Sequence, residues 1–399
     1  MTAERLAPPV TSQGPVGWLR ENLFSTWYNA LLTALVGGAL AVVLAGLVQW
    51  AVAEARWGVV TANLRLFLIG LYPIEEAWRI GISLAIFSVL AGLSAAVYGG
   101  SAIRTLAFSL AAGEALLAGL AAVSGLGPAM TFSLLLVAAL VWTAFLAGVR
   151  RPISRRALTL AWLASVPVSV TLLQGVGGAA LPVVSTNLWG GLLLTFLLAI
   201  VGIVASFPFG VLLALGRRSD LPAVRILSTA YIELVRGVPL VTILFMAAIM
   251  LPLFLPGGVR IDQVYRAMAG ITLFSAAYVA ENVRGGLQAI PSGQIEAAHA
   301  IGLNPVQTNL YIVLPQALRS VIPANVGLFI SLLKDTTLVS IAAGLLELLG
   351  IGRAVLAQPQ WFGAHLEVYA FIAAVFFILC YTMSQASYRL ETALGVGTR

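Results

Sequence analysis

Long apolar segments separated by short polar ones recur along most of this sequence. A helix needs about 20 apolar residues to cross the hydrocarbon layer of a membrane. The stretch Leu64–Tyr72 is too short to cross and is expected to lie at the membrane interface. The pattern predicts ten membrane-spanning helices, at residues 29–53, 80–98, 103–123, 130–148, 157–175, 188–215, 227–253, 267–287, 322–345 and 366–388.

Composition supports a membrane protein. Hydrophobic residues make up 60% of the chain and charged residues only 9%, whereas soluble domains carry roughly 25% charged residues. The net charge of +7 comes from short basic clusters between apolar segments, a pattern typical of membrane topology and not of a nucleic-acid-binding surface. Cys380 is the single cysteine and only two histidines occur, so neither a disulfide framework nor a metal site is expected.

The arginines predict the orientation. With the N-terminus inside, six arginines fall in external segments and fourteen in internal ones, as the positive-inside rule requires. Ten spans then return the C-terminus to the cytoplasm. The internal arginines are Arg5, Arg20, Arg104, Arg150, Arg151, Arg155, Arg156, Arg217, Arg218, Arg225, Arg284, Arg319, Arg389 and Arg399.

Polar motifs are distributed unevenly along the chain. Residues 1–28 precede the first span and are expected to form a cytoplasmic tail. Residues 29–180 are apolar with little polar patterning, whereas residues 181–390 contain nearly all the motifs. The sequence therefore predicts an N-terminal transmembrane extension followed by a core domain.

The predicted cytoplasmic loop at residues 290–318 has strong capping signals. Ser292 is expected to be the N-cap of a short helix, and Gly302 fits the C′ position that ends it. Asn304, with Gln307 three residues later, predicts a capping box at the start of a second short helix. Two short helices at a sharp angle form a rigid element that can transmit force to a partner.

The same loop carries a spaced motif. Its residues are Glu296, Ala297, Ala298, Gly302, Ile312, Leu314 and Pro315. This spacing resembles the EAA loop of ABC-importer permeases, which docks into a cleft of the ATPase subunit in that family. The resemblance implies that these residues couple the chain to an ATPase. The alternative is an interfacial hairpin without a partner.

Three further motifs resemble the polar amino-acid permeases: Glu233–Pro239, Ala277–Gly286 and Leu333–Ser340. The resemblance covers about residues 188–390 and implies an all-α membrane protein with a type I ABC-importer permease core of five transmembrane helices. The five or so extra N-terminal helices resemble the long permeases of general L-amino-acid (Aap/Bzt-type) systems.

The resemblance also implies a location and partners. It places the chain in the bacterial inner (plasma) membrane, importing amino acids by alternating access. The implied partners are a second homologous permease subunit, expected to form a heterodimer, two ABC ATPase subunits and a periplasmic amino-acid-binding protein.

A nucleotide site of its own is not expected. A Walker A loop needs a lysine after a glycine-rich turn, and Lys334, the only lysine, has no such turn before it. The chain is therefore predicted to be a transport subunit, not an enzyme, with no catalytic residues and no cofactor or metal. The resemblance implies that ATP and Mg bind to the partner ATPase subunits.

Ionisable side chains within predicted spans are candidates for substrate contacts. The candidates, with neighbouring hydroxyl residues, are Arg236, Glu281, Ser331, Lys334, Asp335, Thr336 and Thr337. Ser331 and Asp335 are four residues apart and share a helical face. The hypothesis is that Asp335 with the two threonines binds the substrate ammonium, and Arg236 or Lys334 its carboxylate.

Several alternatives remain open. The charged residues can instead form structural ion pairs between helices, and Glu114 can pair with Arg104 or face another subunit. An ion-driven secondary transporter would require inverted repeats, which the two unlike halves do not show, and a scaffold or channel subunit leaves the loop motif unexplained. Broad L-amino-acid uptake is favoured over a narrow glutamate/glutamine or arginine system.

Overall fold

The structure is a computed structural model, and the residues that it describes fall into two units. The units are residues 1–57 and residues 58–399, and the predicted boundary at residue 181 stays a prediction. Arg5, Arg399 and the first 13 residues of the predicted tail lie outside the described residues. The described ranges are 14–123, 128–151, 153–256 and 258–394.

The first unit consists of two helices, α1 (Pro15–Leu23) and α2 (Trp27–Gln49). Thr26 begins α2, because its hydroxyl accepts a hydrogen bond from the amide of Asn29 at 3.4 Å. A π-helical turn prolongs α2 to Glu54, which gives 28 residues that are long and apolar enough to cross a membrane. The helix predicted at residues 29–53 is confirmed.

The second unit begins with six helices that belong to the predicted extension. They are α3 (Gly58–Ala62), α4 (Leu64–Ile69), α5 (Trp78–Tyr98), α6 (Ser101–Val123), α7 (Pro128–Arg150) and α8 (Arg155–Gln174). Helices α5, α6 and α7 pack on one another around small residues such as Ala95, Ala107 and Ala111. The short segment predicted at the interface forms α4 and does not cross, but it is buried against later helices of the unit.

Eleven helices follow within the described part of the second unit. They are α9 (Gly191–Arg217), α10 (Pro222–Arg236), α11 (Leu240–Phe245), α12 (Leu251–Phe254), α13 (Gln263–Gln288), α14 (Ser292–Ala300), α15 (Pro305–Gln307), α16 (Leu314–Asp335), α17 (Leu338–Ala342), α18 (Leu348–Leu356) and α19 (His365–Leu394). We call the end of the bundle where α9 and α13 finish and α16 begins the loop end.

Eight helical segments are long and apolar enough to cross a membrane, and a bent pair adds a ninth among the residues described. The predicted count of ten exceeds this number by one, and the difference is α13. This helix has 26 residues, of which 14 are buried, but it is less apolar than the others. Its polar side chains find partners on α9, α10 and α16, which pack around it.

Two predicted spans are corrected by the structure. The span predicted at residues 227–253 is a pair of helices, because the chain turns by 105° between Arg236 and Leu240. Proline at position 239 cannot continue α10, since its ring disfavours a helical residue before it. The span predicted at residues 322–345 begins earlier, as part of a continuous helical segment Pro305–Asp335, and it ends at Asp335.

Helices α9, α13 and α16 approach closely because glycines lie at their contacts. A Cβ atom at Gly210 would lie 2.5 Å from the Cβ atom of Val279, and one at Gly286 would lie 2.7 Å from the carbonyl oxygen of Ala317. Contact at such distances excludes any larger residue. These three helices therefore form a rigid centre for the second unit.

At the opposite end, α3 and α4 fold back onto α9, α18 and α19. Gly70 ends α4 with φ 63° and ψ −134°, a conformation that other residues rarely adopt. A Cβ atom there would lie 2.5 Å from the Cα atom of Gly190. The side chain of Tyr72 is fully buried and donates a hydrogen bond to the carbonyl of Leu173 at 2.9 Å.

Replacing Gly70 with alanine is expected to lower the thermal stability of the purified protein. Overpacking and backbone strain together cost about 2–5 kcal/mol. Gly99 provides a control for a positive φ alone, because it has φ 65° and ψ −6° and no atom within 4 Å of the added Cβ. Thermal melting should place the Gly70→Ala variant well below Gly99→Ala; equal shifts would show that the contact with Gly190 is unimportant.

Candidate functional site

The loop at residues 290–318 begins with α14, whose end is closed by hydrogen bonds. The amide of Leu303 donates to the carbonyl of Ala298 at 3.1 Å, and that of Gly302 donates to His299 at 2.9 Å. With φ 84° at Gly302, this is the Schellman arrangement. The predicted C′ role of Gly302 is confirmed. The predicted N-cap is wrong by one residue, since Pro291 precedes the helix and no side chain caps it.

The second helix of the loop begins as predicted but continues further. Asn304 and Gln307 form a reciprocal capping box, with bonds of 2.9 and 3.0 Å. The prediction of a second short helix is wrong, because the segment runs through a π-helical stretch, Thr308–Val313, directly into α16. Pro315 lacks an amide hydrogen, and a π-helical turn is one way to accommodate such a lost bond.

The two arms of the loop present an exposed surface. Glu296 and Ala297 face solvent, whereas Ala298 is 3% exposed and anchors α14. Ile312 and Leu314 are half-buried, and Pro315 is exposed. Four large apolar side chains beside the motif are more than half exposed, which is unusual for a loop with no partner: Ile301, Val306, Leu310 and Tyr311.

A cluster of five charged residues lies near the loop end. The carboxylate of Glu281 contacts Arg217 at 3.5 Å, Arg236 at 3.4 Å and the Nε of Arg284 at 2.9 Å. Glu233 contacts Arg217 at 2.9 Å. One carboxylate thus holds together the end of α9, the bend after α10 and the last third of α13.

Replacing Glu281 with glutamine is expected to destabilise the assembled protein by about 1–3 kcal/mol, because three neighbouring arginines lose their shared charged acceptor. Its side chain is 21% exposed, whereas that of Glu233 is 58% exposed. The control variant Glu233→Gln should therefore cost less than about 1 kcal/mol. Melting curves at low and high salt measure both costs, and indistinguishable curves would contradict a central role for Glu281.

The second group of predicted site residues lies at the far end of α16. Asp335 is the last residue of this helix and is half-buried, while Lys334 and Ser331 are exposed. Thr336 is fully buried, and its hydroxyl donates to the carbonyl of Leu333 at 2.7 Å. The hydroxyl of Thr337 donates in the same way to the carbonyl of Lys334 at 2.8 Å.

The predicted substrate residues therefore form two separate groups. Asn282, next to Glu281, contacts Asn325 of α16 at 3.0 Å. Asp335 lies ten residues beyond Asn325, which is about 15 Å at 1.5 Å per residue. Arg236 and Glu281 thus belong to the ion cluster near the loop end, and Lys334 and Asp335 to the opposite part of α16. The structure pairs Arg236 with Glu281, whereas Lys334 and Asp335 are neighbours in sequence, and the two groups lie apart.

Sequence reasoning missed two charged residues in this region. Arg217 was assigned only to a cytoplasmic loop, although it contacts both Glu233 and Glu281. Glu347 is fully buried and caps α18, accepting hydrogen bonds from the amides of Leu349 and Gly350 at 2.9 and 2.8 Å. Glutamate is not among the residues preferred at N-caps, and burial is not visible in a sequence, so the capping role of Glu347 had no local signal; nor do the partners of Arg217 leave one.

Comparisons with known proteins identify the family. The model of binding-protein-dependent transport system inner membrane components matches residues 206–391. Over 395 residues the chain is 38% identical to the inner membrane amino-acid ABC transporter permease protein YhdY of Escherichia coli strain K12, covering 95% of this chain and 93% of the relative.

A second relative and a solved structure complete the comparison. The glutamate/glutamine/aspartate/asparagine transport system permease protein BztC of Rhodobacter capsulatus is 38% identical, with 98% of this chain and 97% of the relative covered. A crystal structure of an amino acid ABC transporter with histidines shares 27% identity at a TM-score of 0.46, covering 58% of this chain and 98% of that one. The chain therefore belongs to the binding-protein-dependent transport system inner membrane components and is a multi-pass amino-acid ABC importer permease of the bacterial inner membrane, a transport subunit and not an enzyme.

Proposed function

We propose that this chain imports L-amino acids of several side-chain classes by alternating access, driven by separate ATPase subunits that dock on the loop at residues 290–318. Membership of the family implies an ATPase and a solute-binding protein as partners. The proposal assigns ATP and Mg to the ATPase subunits and the docking role to the loop. In the division proposed, residues 29–180 are the extension and residues 181–390 the core.

The observation that carries the coupling role is the rigid, exposed geometry of the loop. A Schellman arrangement and a capping box fix the angle between α14 and the segment that becomes α16. Because that segment continues without a break to Asp335, a push on the loop moves the whole of α16. The exposed Glu296 and the four apolar side chains around it supply a contact surface.

The far end of α16 is the proposed ammonium site. A helix C-terminus carries a partial negative charge, and the carboxylate of Asp335 adds a full one. The helix stops there and a short helix, α17, follows after a turn, which resembles the broken helices that bind ions and substrates in other transporters. Both features attract a cation to this position.

Lys334 is the proposed partner of the substrate carboxylate. The ammonium and carboxylate of an α-amino acid are attached to the same carbon, so one substrate needs both counter-charges within a few ångströms. Arg236 contacts Glu281, about 15 Å from Asp335 along α16. We therefore assign Lys334 to the carboxylate of the bound substrate. Ser331 lies on the same helical face as Asp335. Arg236, near the loop end, is assigned to a later step of the transport pathway.

The proposed contacts are to the ammonium and carboxylate that all α-amino acids share, so the site does not recognise the substrate side chain. This arrangement therefore favours broad substrate specificity. Narrow uptake of acidic and amide amino acids is the second candidate, favoured by the substrates for which the relative BztC is named.

The proposed partner permease is a distinct chain. Exposed apolar residues near the bend offer it a contact: Ile226, Leu227, Leu234, Leu253 and Phe254.

The test is uptake by the complete complex in proteoliposomes, with the subunits identified by mass spectrometry. Labelled leucine, glutamate and arginine should all enter when ATP and the loaded binding protein are present, and none without ATP. Uptake of glutamate and glutamine alone would replace the broad proposal by the narrow one. Uptake driven by an ion gradient with no ATPase present would refute the coupling role of the loop.

A further inference from the structure

A groove of about 680 Å³ opens between α6 of the predicted extension and α19 of the predicted core. Arg104 and Arg389, one from each helix, lie at its polar end together with hydroxyl groups of α6. The guanidinium of Arg389 donates a hydrogen bond to the hydroxyl of Thr105, which joins the two helices directly. These residues belong neither to the ion cluster around Glu281 nor to the proposed ammonium site.

The two arginines have no acidic partner within the described part of the chain. Neither Arg104 nor Arg389 forms an ion pair with a carboxylate there. Glu114, the acidic residue of α6, accepts a hydrogen bond from the hydroxyl of Ser88 at 2.6 Å and does not take the alternative of pairing with Arg104. Glu391, near Arg389 in sequence, accepts instead from Ser387 at 3.0 Å. Two positive charges therefore face one groove without an anion from the described residues.

The polar end of the groove lies at the level of the membrane surface. Tyrosine residues mark membrane interfaces, and Tyr98 and Tyr388 lie next to the groove in the chain. The guanidinium of Arg155 packs over the ring of Tyr98 at 5.7 Å. All three arginines of this region fall in segments that are internal by the positive-inside rule. The groove thus opens toward the cytoplasmic leaflet, where anionic lipids attract basic residues.

The lining of the groove changes from polar to apolar along α6. Ser101, Arg104 and Thr105 line the end near the surface. Phe108 and Ala112 line the deeper part beside Ser109, whose hydroxyl donates to the carbonyl of Thr105 at 2.7 Å. From Ser101 to Ala112 the helix rises by about 16 Å. A free phosphate ion would use only the first of these regions, whereas a phospholipid has a charged headgroup and an apolar chain that match both.

We propose that this groove binds an anionic phospholipid, with its phosphate between Arg104 and Arg389 and an acyl chain along Phe108 and Ala112. Arginine pairs with phosphate through charge-assisted hydrogen bonds, and basic pockets between transmembrane helices on the cytoplasmic side bind such headgroups. The lipid would bridge the predicted extension and the core. This site is independent of the substrate pathway and of the ATPase-docking loop.

Native mass spectrometry of the purified complex tests the proposal. After incubation with palmitoyl-oleoyl phosphatidylglycerol, the wild type should retain lipid adducts at least about fivefold more than with phosphatidylcholine of the same chains. The double variant R104Q/R389Q should lose this preference, whereas R225Q, which removes an exposed arginine of α10, should keep it. Equal retention by wild type and double variant would overturn the proposal.

A second variant tests the apolar part without touching the arginines. Ala112→Phe fills the deeper groove and should reduce retention of the long-chain lipid at least about threefold, while leaving a short-chain phosphatidylglycerol unaffected. Competition with inorganic phosphate distinguishes a lipid site from a simple anion site. Full displacement of the lipid by millimolar phosphate, or retention unchanged in Ala112→Phe, would show that no lipid-specific site exists here.

Discussion

Replacing Gly302 with valine is expected to reduce ATP-driven uptake about 5–30-fold. Gly302 has φ 84°, and a residue with a Cβ atom pays roughly 1–2 kcal/mol in this left-handed region, with a β-branched one the least tolerated. An energy of that size shifts a two-state ratio by about 5–30-fold. The loop would therefore leave its Schellman geometry and present Glu296 at the wrong angle to an ATPase.

Gly293 provides the matched control for this prediction. It lies in α14 of the same loop, is exposed, and has no atom within 4 Å of an added Cβ, as is also true of Gly302. The two positions differ in their backbone conformation, so Gly293→Val should keep most of the uptake. Co-purification of the ATPase subunits and uptake are the measurements. Similar losses in both variants would mean that the loop is merely sensitive to bulk.

The sequence predicted the turn at Gly302 and the capping box at Asn304 because both are local. Each depends on hydrogen bonds within about five residues, so residue type and spacing are sufficient. The error at Ser292 has a local cause as well, since Pro291 has φ −59° and ψ 140° and takes the position before the helix. Where the second helix ends was not predictable from its start, because caps mark one end only.

Other features of the site depend on contacts between distant parts of the chain. Arg217 and Glu281 are 64 residues apart, and no local sequence pattern at either position predicts their contact. The end of α16 at Asp335 was also hidden, because apolar residues resume at Leu338 and average hydropathy continues across the break. Hydropathy indicates whether a segment lies in an apolar environment, whereas packing determines at which residue its helix ends.

Hydropathy is also an incomplete guide to helix α13. Its charged residues make it too polar for a lipid-facing span, yet it lies at the centre of the second unit. Arg284 and Glu281 are three residues apart and contact each other on one face, while the opposite surface supplies apolar residues such as Val279 and Ile271 to the core clusters. A helix enclosed by protein does not need the apolar composition that lipid requires.

Replacing Asp335 with asparagine is expected to lower uptake by at least about 30-fold. The two side chains have nearly the same shape, so the change removes charge with little effect on packing. Loss of one partner of a charged contact costs about 2–5 kcal/mol, and each 1.4 kcal/mol corresponds to a factor of ten in binding. The negative end of α16 alone, worth about 0.3–1 kcal/mol, cannot hold the substrate ammonium.

Two controls separate this role from a structural one. Asp220→Asn, the same change at an exposed loop position, should leave uptake unaltered. For Asp335→Asn, assembly with the ATPase subunits and receptor-free ATP hydrolysis should remain at wild-type levels, because the loop proposed to dock the ATPase lies at the other end of α16. If assembly is lost together with uptake, Asp335 is a structural ion-pair residue; if uptake is retained, the ammonium is bound elsewhere, and Lys334 loses its assigned role as well.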